Sequence, residues 1–305
     1  MTDLTKPESS HPIDTVNYAA VERRTAVLEV IRSAKKELAI SLFRCDDFAI
    51  LDALADAVSS GVKVRALVTP TAKNWDRRLR ELETTLESMG ATVKRYRGHL
   101  SKYHAKYIVA DQRTALVASL NFTRKCFDQT GDFVVTTRDP EVVGSLRQLF
   151  DHDCGSHGSV TELPLGLSPR LIVGPEHSAR LLEVLRSAKT TIRIVDHRLN
   201  DPGVLSVLRR QQELGVAVEV LGEGALPGLI SHGRLFLVDG SIAVIGSFAL
   251  TPASLQSRRE VALELSNPGD VEQLRTWFDD CARLRPPASL KLAEFVAVEL
   301  SGDDD

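Results

Sequence analysis

The stretch "HAKYIVADQRTALVASLN", His104 to Asn121, decides how this chain is read. Taken as a strand, "HAKYIVA" alternates its side chains. His104 and Lys106 then share one face, and Ala105, Tyr107 and Val109 the other. "DQRT" is a polar turn, and "ALVASLN" a returning strand on which Ser119 and Asn121 again share a face. A hairpin with matching faces brings together an imidazole, an ammonium, a hydroxyl and an amide. Lysine supplies fixed positive charge, and Ser and Asn supply hydrogen bonds. That set suits a phosphate, whose equatorial oxygens gather charge in a transition state. The histidine can attack phosphorus or move a proton near neutral pH.

The pattern returns as "HGRLFLVDGSIAVIGSFA", His232 to Ala249. His104 falls on His232, Lys106 on Arg234, Asp111 on Asp239 and Ser119 on Ser247. The same offset carries Asp132 onto Glu260, and "LRQLFDHDC" onto "LRTWFDDCA". Upstream, "LEVIRSAKKELAISLFRCDDFAILDALADAVSSGVKVRALV" from Leu28 aligns without a gap on "LEVLRSAKTTIRIVDHRLNDPGVLSVLRRQQELGVAVEVL" from Leu182. Each copy reads as helix, strand, helix and strand, with Gly61 or Gly215 closing the second helix. Such alternation argues for an α/β layered unit with parallel pairing. The copies differ in between. The first inserts "NWDRRLRELETTLESMG", which reads as a helix, and "ATVKRYRG", which reads as a strand. The second has only "GEGALPGLI".

The 305 residues and net charge of -3 describe an ordinary globular chain with ample length for a core. No apolar run approaches the roughly 18–20 residues a membrane span needs, and the N-terminus lacks a signal-peptide layout. A cytoplasmic protein is expected. Cys45, Cys126, Cys154 and Cys281 are far apart, form no Cys-x-x-Cys pair and read as reduced thiols. No clustered metal-ligand spacing is visible, so neither a metal nor another cofactor is expected. The boundaries drawn are a tail at 1–16, a first repeat at 17–154, a linker at 155–169, a second repeat at 170–285, and a C-terminal extension with an acidic tail at 286–305.

Each motif carries one histidine, whereas opening a phosphodiester needs a nucleophile and an acid for the leaving group. Two copies packed face to face supply both. The duplicated H-x-K-x4-D pattern, with its following Ser-x-Asn, resembles the phospholipase D superfamily over roughly residues 20–285. The resemblance implies two tandem phospholipase D-like α/β/α units with mixed sheets, packed face to face as a pseudo-twofold sandwich. It implies a metal-independent phosphodiesterase, a hydrolase working through a phosphohistidine. In that reading His104 is the nucleophile, and His232 the acid that then activates water. Lys106, Arg234, Ser119, Ser247 and Asn121 bind the phosphate. Asp132 and Glu260 each orient a histidine, and Asp111 and Asp239 fix their turns.

The second motif departs from the pattern. Arg234 stands for Lys, and a guanidinium grips phosphate differently. Ala249 stands for Asn and removes a hydrogen bond. Three readings stay open: an intact asymmetric site, a homodimer pairing two first halves, or a module that binds a phosphate backbone without cleaving it. "KRYRGHLSKYHAK", Lys94 to Lys106, interleaves cations with tyrosines in a way that suits nucleic acid, DNA or RNA. A nuclease-like enzyme is therefore favoured over a phospholipase D or phosphatidyltransferase acting on phospholipid. Arg44 and Arg198 are expected to pair with Asp47 and Asp201, with phosphate contact as the alternative. His197 is discounted as a partner of Asp196, because neighbours on a strand point apart.

Overall fold

The stretch "ELAISL" is apolar along both faces, as a strand covered on both sides must be. Leu38, Ile40 and Leu42 join one buried cluster with Val27, Ile31 and Leu54, while Ala39 joins another that reaches the second half of the chain. That double burial builds the molecule in layers. The computed structural model describes residues 13–155, 162–284 and 288–289.

The first repeat runs β1 (Asp14–Asn17), α1 (Ala20–Ser33), β2 (Glu37–Leu42), α2 (Phe48–Ser59), β3 (Lys63–Val68), α3 (Asp76–Ser88), β4 (Thr92–Arg95), β5 (Lys102–Tyr103), β6 (Tyr107–Ala110), β7 (Thr114–Ala118), α4 (Arg124–Gln129), β8 (Thr130–Gly131), β9 (Val134–Thr137) and α5 (Pro140–Gly155). The second runs β10 (Leu171–Val173), α6 (Ser178–Arg186), β11 (Thr191–Val195), α7 (Pro202–Glu213), β12 (Ala217–Leu221), β13 (Ile230–Ser231), β14 (Leu235–Val238), β15 (Ile242–Gly246), α8 (Pro252–Gln256), β16 (Arg258–Arg259), β17 (Val261–Leu265) and α9 (Pro268–Leu284), followed by β18 (Ala288–Ser289).

The two repeats form seven-stranded sheets of matching order, β1-β9-β7-β6-β2-β3-β4 and β10-β17-β15-β14-β11-β12-β18. Only the β2-β3-β4 and β11-β12 neighbours pair parallel, so the sheets are mixed. The inner faces and the apolar sides of α5 and α9 share one core, in which Val109, Val117 and Phe150 join Leu237, Ile245 and Phe278. The outer face of the first sheet carries α1 and α2, and that of the second carries α6 and α7. This is the α/β sandwich of two similar units expected from the repeat.

Asp14–Asn17, most of which lies in the stretch drawn as a tail, pair with Val134–Thr137 as an edge strand. Ala288 and Ser289, in the stretch drawn as an extension, pair with Val220 and Glu219 at the position β4 holds in the first sheet. Residues 1–12 of the tail, 156–161 of the linker, 285–287 and 290–305 lie outside the described residues. Gly61 and Gly215 follow the second helix of each repeat at φ +85° and +90°, a conformation that costs glycine nothing. Asp47 and Asp201 cap those helices: Asp47 accepts from the amides of Ala49 and Ile50, and Asp201 from Val204. Asp47 also pairs with Arg24 at 3.1 Å, so its carboxylate serves the helix and α1.

Candidate active site

The site is assembled where the repeats exchange short strands. β5, just before the first motif, pairs parallel with β16 of the second repeat. β13, just before the second motif, pairs parallel with β8 of the first. His104 and Lys106 thus lie in the break between β5 and β6, not inside one continuous strand. The amide of His104 donates to the Arg259 carbonyl, and that of Gly233 to the Gly131 carbonyl. A Cβ on Gly233 would stand 2.4 Å from that Gly131 oxygen, so only glycine permits this approach.

The exchange crosses the acids. His104 Nδ1 lies 2.9 and 3.1 Å from the two carboxylate oxygens of Glu260, across the molecule's midline. His232 Nδ1 lies 2.9 and 3.0 Å from those of Asp132. Each repeat orients the other's histidine. Both carboxylates are fully buried, and burial alone would raise their pKa values. For Asp132, His232, the Arg23 guanidinium and the Ser119 hydroxyl overcome burial and hold the group well below the ordinary aspartate range. For Glu260, His104, Lys106 and Ser247 overcome it in the same direction.

Lys106 is 1% exposed, and its Nζ lies 2.7 Å from His104 Nε2 and donates to the His104 carbonyl at 2.8 Å. An ammonium has no lone pair, so Nε2 is the acceptor and Nδ1 carries the proton given to Glu260. The tautomer is therefore set, with the lone pair on Nε2. Phe43 packs edge-on against the His104 ring at 4.7 Å and underlies Lys106 at 5.1 Å.

The second motif is arranged differently. Arg234 turns back onto the His232 and Gly233 carbonyls. Its Nε lies 3.4 Å from Asp196, and one terminal nitrogen lies 3.2 Å from His197 Nδ1. Repeat alignment places Asp196 and His197 where the first half has Leu42 and Phe43. A carboxylate thus accompanies the guanidinium, and a second imidazole replaces the phenyl ring. β11 ends at Val195, so Asp196 and His197 lie beyond the alternating strand, where both reach Arg234.

Ser119 donates to Asp132 at 2.6 Å and accepts from the Phe133 amide. Ser247 accepts from the Val261 amide. Both hydroxyls, given to phosphate on sequence grounds, stand with the acids in this structure. Asn121 is 3% exposed, and its side-chain oxygen has no hydrogen-bond partner. Asp111 accepts from the amides of Lys35, Lys36 and Glu37, and Asp239 from those of Lys189, Thr190 and Thr191. Each motif aspartate thus ties its hairpin turn to the start of a central strand.

Four residues escaped the sequence reading. Thr130 donates to Asp132, and Ser254 donates to Glu260 at 2.8 Å. Arg23, fully buried on α1, donates to the Phe127 carbonyl and lies 4.0 Å from Asp132. Cys126, which aligns with Ser254, lies beside Asp132 and His232. One ligand atom from each of these three falls within 4.8 Å of the others, the single such grouping among the described residues. Burial raises the Cys126 thiol and so resists the thiolate a metal would need, while the carboxylate and Nδ1 already bind each other. The tyrosines of the basic stretch are also reassigned. Tyr96 and Tyr103 are buried and packed together at 4.9 Å, unable to stack on a base.

A cleft of about 310 Å³ opens over His232, lined by Arg44, Trp75, Arg78, Asn121 and His197 among others. Arg44 donates to the Lys73 carbonyl and lines this cleft. Among the described residues, no helix is long and apolar enough to cross a membrane.

Two histidine–carboxylate pairs on a duplicated sandwich, with a lysine on one imidazole, define a scaffold of the phosphodiester-handling kind. The chain belongs to the phospholipase D superfamily: the family described as the phospholipase D-like domain of cardiolipin synthase matches residues 27–154 and 225–282. No curated protein matches the sequence. Among solved structures, a polyphosphate kinase from Porphyromonas gingivalis is similar over 88% of this chain and 47% of its own, at 20% identity and a TM-score of 0.70. This chain thus spans about half that kinase's length. A phosphatidylserine synthase from Haemophilus influenzae is similar over 92% of this chain and 88% of its own, at 14% identity and a TM-score of 0.68. A phospholipase D family member, Nuc from Salmonella typhimurium, matches 46% of this chain and 93% of its own, at 21% identity and a TM-score of 0.42. The first two share the fold of this chain. Members of this superfamily carry out phosphodiester chemistry.

Proposed function

We propose that the protein is a metal-independent phosphodiesterase that works through a phosphohistidine and cleaves nucleic-acid phosphodiesters. One observation carries the reading: each histidine is held at Nδ1 by a buried carboxylate of the opposite repeat. That arrangement leaves Nε2 of each ring as the nitrogen for chemistry.

The substrate phosphate draws Lys106 off His104 Nε2, so binding bares the nucleophile. The Nε2 lone pair attacks phosphorus and forms the P–N bond. The P–O bond to the leaving alcohol breaks, and His232 gives its Nε2 proton to that oxygen. Glu260 stabilises the positive charge gathering on the His104 ring, while Lys106 and the Asn121 amide hold the equatorial oxygens. Neutral His232 then takes a proton from water, and the water oxygen attacks phosphorus. The P–N bond breaks, its electrons return to Nε2, and both histidines are restored. Every group in this cycle is a side chain of one polypeptide.

The nucleic-acid assignment is supported by the cleft rim, where Arg44, Arg78 and Lys125 stand with Asn121 and Thr123. A phospholipid reading is favoured by a different observation. Leu229 and the exposed Ile230 form an apolar lip at one side of the site, and the matching family is described by a lipid synthase. The deciding experiment incubates end-labelled single- and double-stranded DNA in excess EDTA with wild type and His104→Ala. Cleavage by wild type alone is expected. Headgroup release from phospholipid vesicles without DNA cleavage would select the lipid reading, and oligonucleotide binding without cleavage the non-catalytic one.

A further inference from the structure

The insert present only in the first repeat is the segment the chemistry above does not use. It has a defined place. Leu79 and Ala72 pack with Phe43, the ring that stands against His104, and Trp75 packs against the same cluster. Trp75 and Arg78, three residues apart, share a face of the helix start. The Arg78 guanidinium lies 5.2 Å from the Trp75 ring centre, and Arg44 lies 5.7 Å from Trp75 and 5.0 Å from Phe43. Across the cleft from this stack, Lys125 is exposed on the short helix α4.

The charge of this wall exceeds what one phosphodiester needs. Three cations, Arg44, Arg78 and Lys125, face one carboxylate, Asp46. Asp46 lies 3.5 Å from Arg78 and accepts from the Arg124 amide. The monoanionic scissile group already has Lys106. A second observation marks the same cleft as a ligand site: Asn121 lines it with a buried side-chain oxygen that lacks a partner and, as an acceptor, suits an N–H or O–H of a bound strand rather than its phosphate. In the second repeat "GEGALPGLI" stands in place of the insert.

We infer that the insert builds a subsite for a second phosphate of a polyanionic strand, next to the scissile phosphodiester. Arg44, Arg78 and Lys125 are its cations, and the Arg–Trp75 stack is its platform for a neighbouring base. The inference rests on the phosphodiesterase reading and names its substrate: a nucleic-acid strand, engaged through at least two phosphates, with the first repeat selecting it.

The test compares two substrates in EDTA, a labelled oligonucleotide and bis(4-nitrophenyl) phosphate, which has one phosphate. Wild type, Arg78→Ala and Lys125→Ala are assayed on each, and oligonucleotide binding is followed by anisotropy across salt. The expected result is a fall of about tenfold, carried by KM, in the ratio of kcat/KM for oligonucleotide over ester. Each variant's binding should also show a salt slope shallower by about 0.7, the share of one phosphate contact on a single strand. An equal effect on both substrates, or none on either, overturns the subsite and leaves the phosphodiesterase reading standing. If wild type turns over neither substrate, that reading fails, and the anisotropy slopes still decide the subsite. Preference for phosphatidylglycerol vesicles over the oligonucleotide overturns the strand assignment.

Discussion

Glu260→Gln isolates the crossed pairing at the cost of one oxygen. The carboxylate is fully buried, 2.9 Å from His104 Nδ1, and also accepts from Ser254 at 2.8 Å. An amide keeps the volume and loses the charge. As the P–N bond forms, the His104 ring becomes cationic. At roughly 3 Å and an effective dielectric near 20, a facing carboxylate stabilises that charge by about 5 kcal/mol. At about 1.4 kcal/mol per tenfold, this is a rate loss near ten-thousand-fold. A second route gives a similar figure. If the Gln amide donates to Nδ1, the ring proton moves to Nε2, facing the Lys106 ammonium, and the nucleophilic lone pair is gone. Wrong-tautomer variants of histidine–carboxylate pairs lose about 10⁴. The assay is single-turnover release of 4-nitrophenolate from bis(4-nitrophenyl) phosphate in EDTA, with a thermal melt to confirm folding. A folded Glu260→Gln protein within tenfold of wild type would refute the argument. So would a variant whose loss is matched by Asp132→Asn on this ester, because nitrophenolate leaves without needing an acid.

The assigned roles make His232→Ala distinctive. With the same ester it should release a burst of one nitrophenolate per site and then stall, because no base activates water; steady turnover without a burst would contradict the assignment. Asp132 and Glu260 keep depressed pKa values when folded, so on acidification the unfolded chain takes up protons first. Their stabilisation is full above the ordinary carboxylate range, begins to fall within it, and is lost as pH drops through the lower folded values. Melts between pH 7 and 3 should show Asp132→Asn losing stability less steeply than wild type below about pH 4. Gly233→Ala forces a methyl against the Gly131 carbonyl and should cost about 1–3 kcal/mol by chemical denaturation. It should also slow dephosphorylation more than phosphorylation, since it displaces His232.

Much of this architecture was legible in the sequence, because a repeat announces itself twice. The offset that aligned the motifs also aligned Asp132 with Glu260, and strand alternation set the hairpins whose registers pair Tyr107 with Val117 and Leu235 with Ile245. Tertiary exchange was not legible. Spacing within a repeat is silent about which repeat's acid meets which histidine; that depends on β5 and β13 crossing to the opposite half. Tyr96 and Tyr103 looked like base platforms because interleaved cations mask burial, which is settled by the facing sheet. The meeting of Asp196 and His197 at Arg234 was not legible either, because both lie past the end of β11, where strand alternation no longer applies. Ser254 had a signal, the Thr251 cap that fixes its helix, but only the folded chain aims its hydroxyl at Glu260.

The crossing also constrains how the two copies can diverge. Arg234, one of the second repeat's departures, contacts the carbonyl of that repeat's own histidine. Glu260 and Ser254, in the same repeat, serve the first repeat's nucleophile. A lineage can therefore let the second copy's phosphate grip erode, yet losing its acid would silence the intact copy. Duplication here yields no spare part. Each half is hostage to the other, and the gene can decay only along the residues that a half keeps for itself.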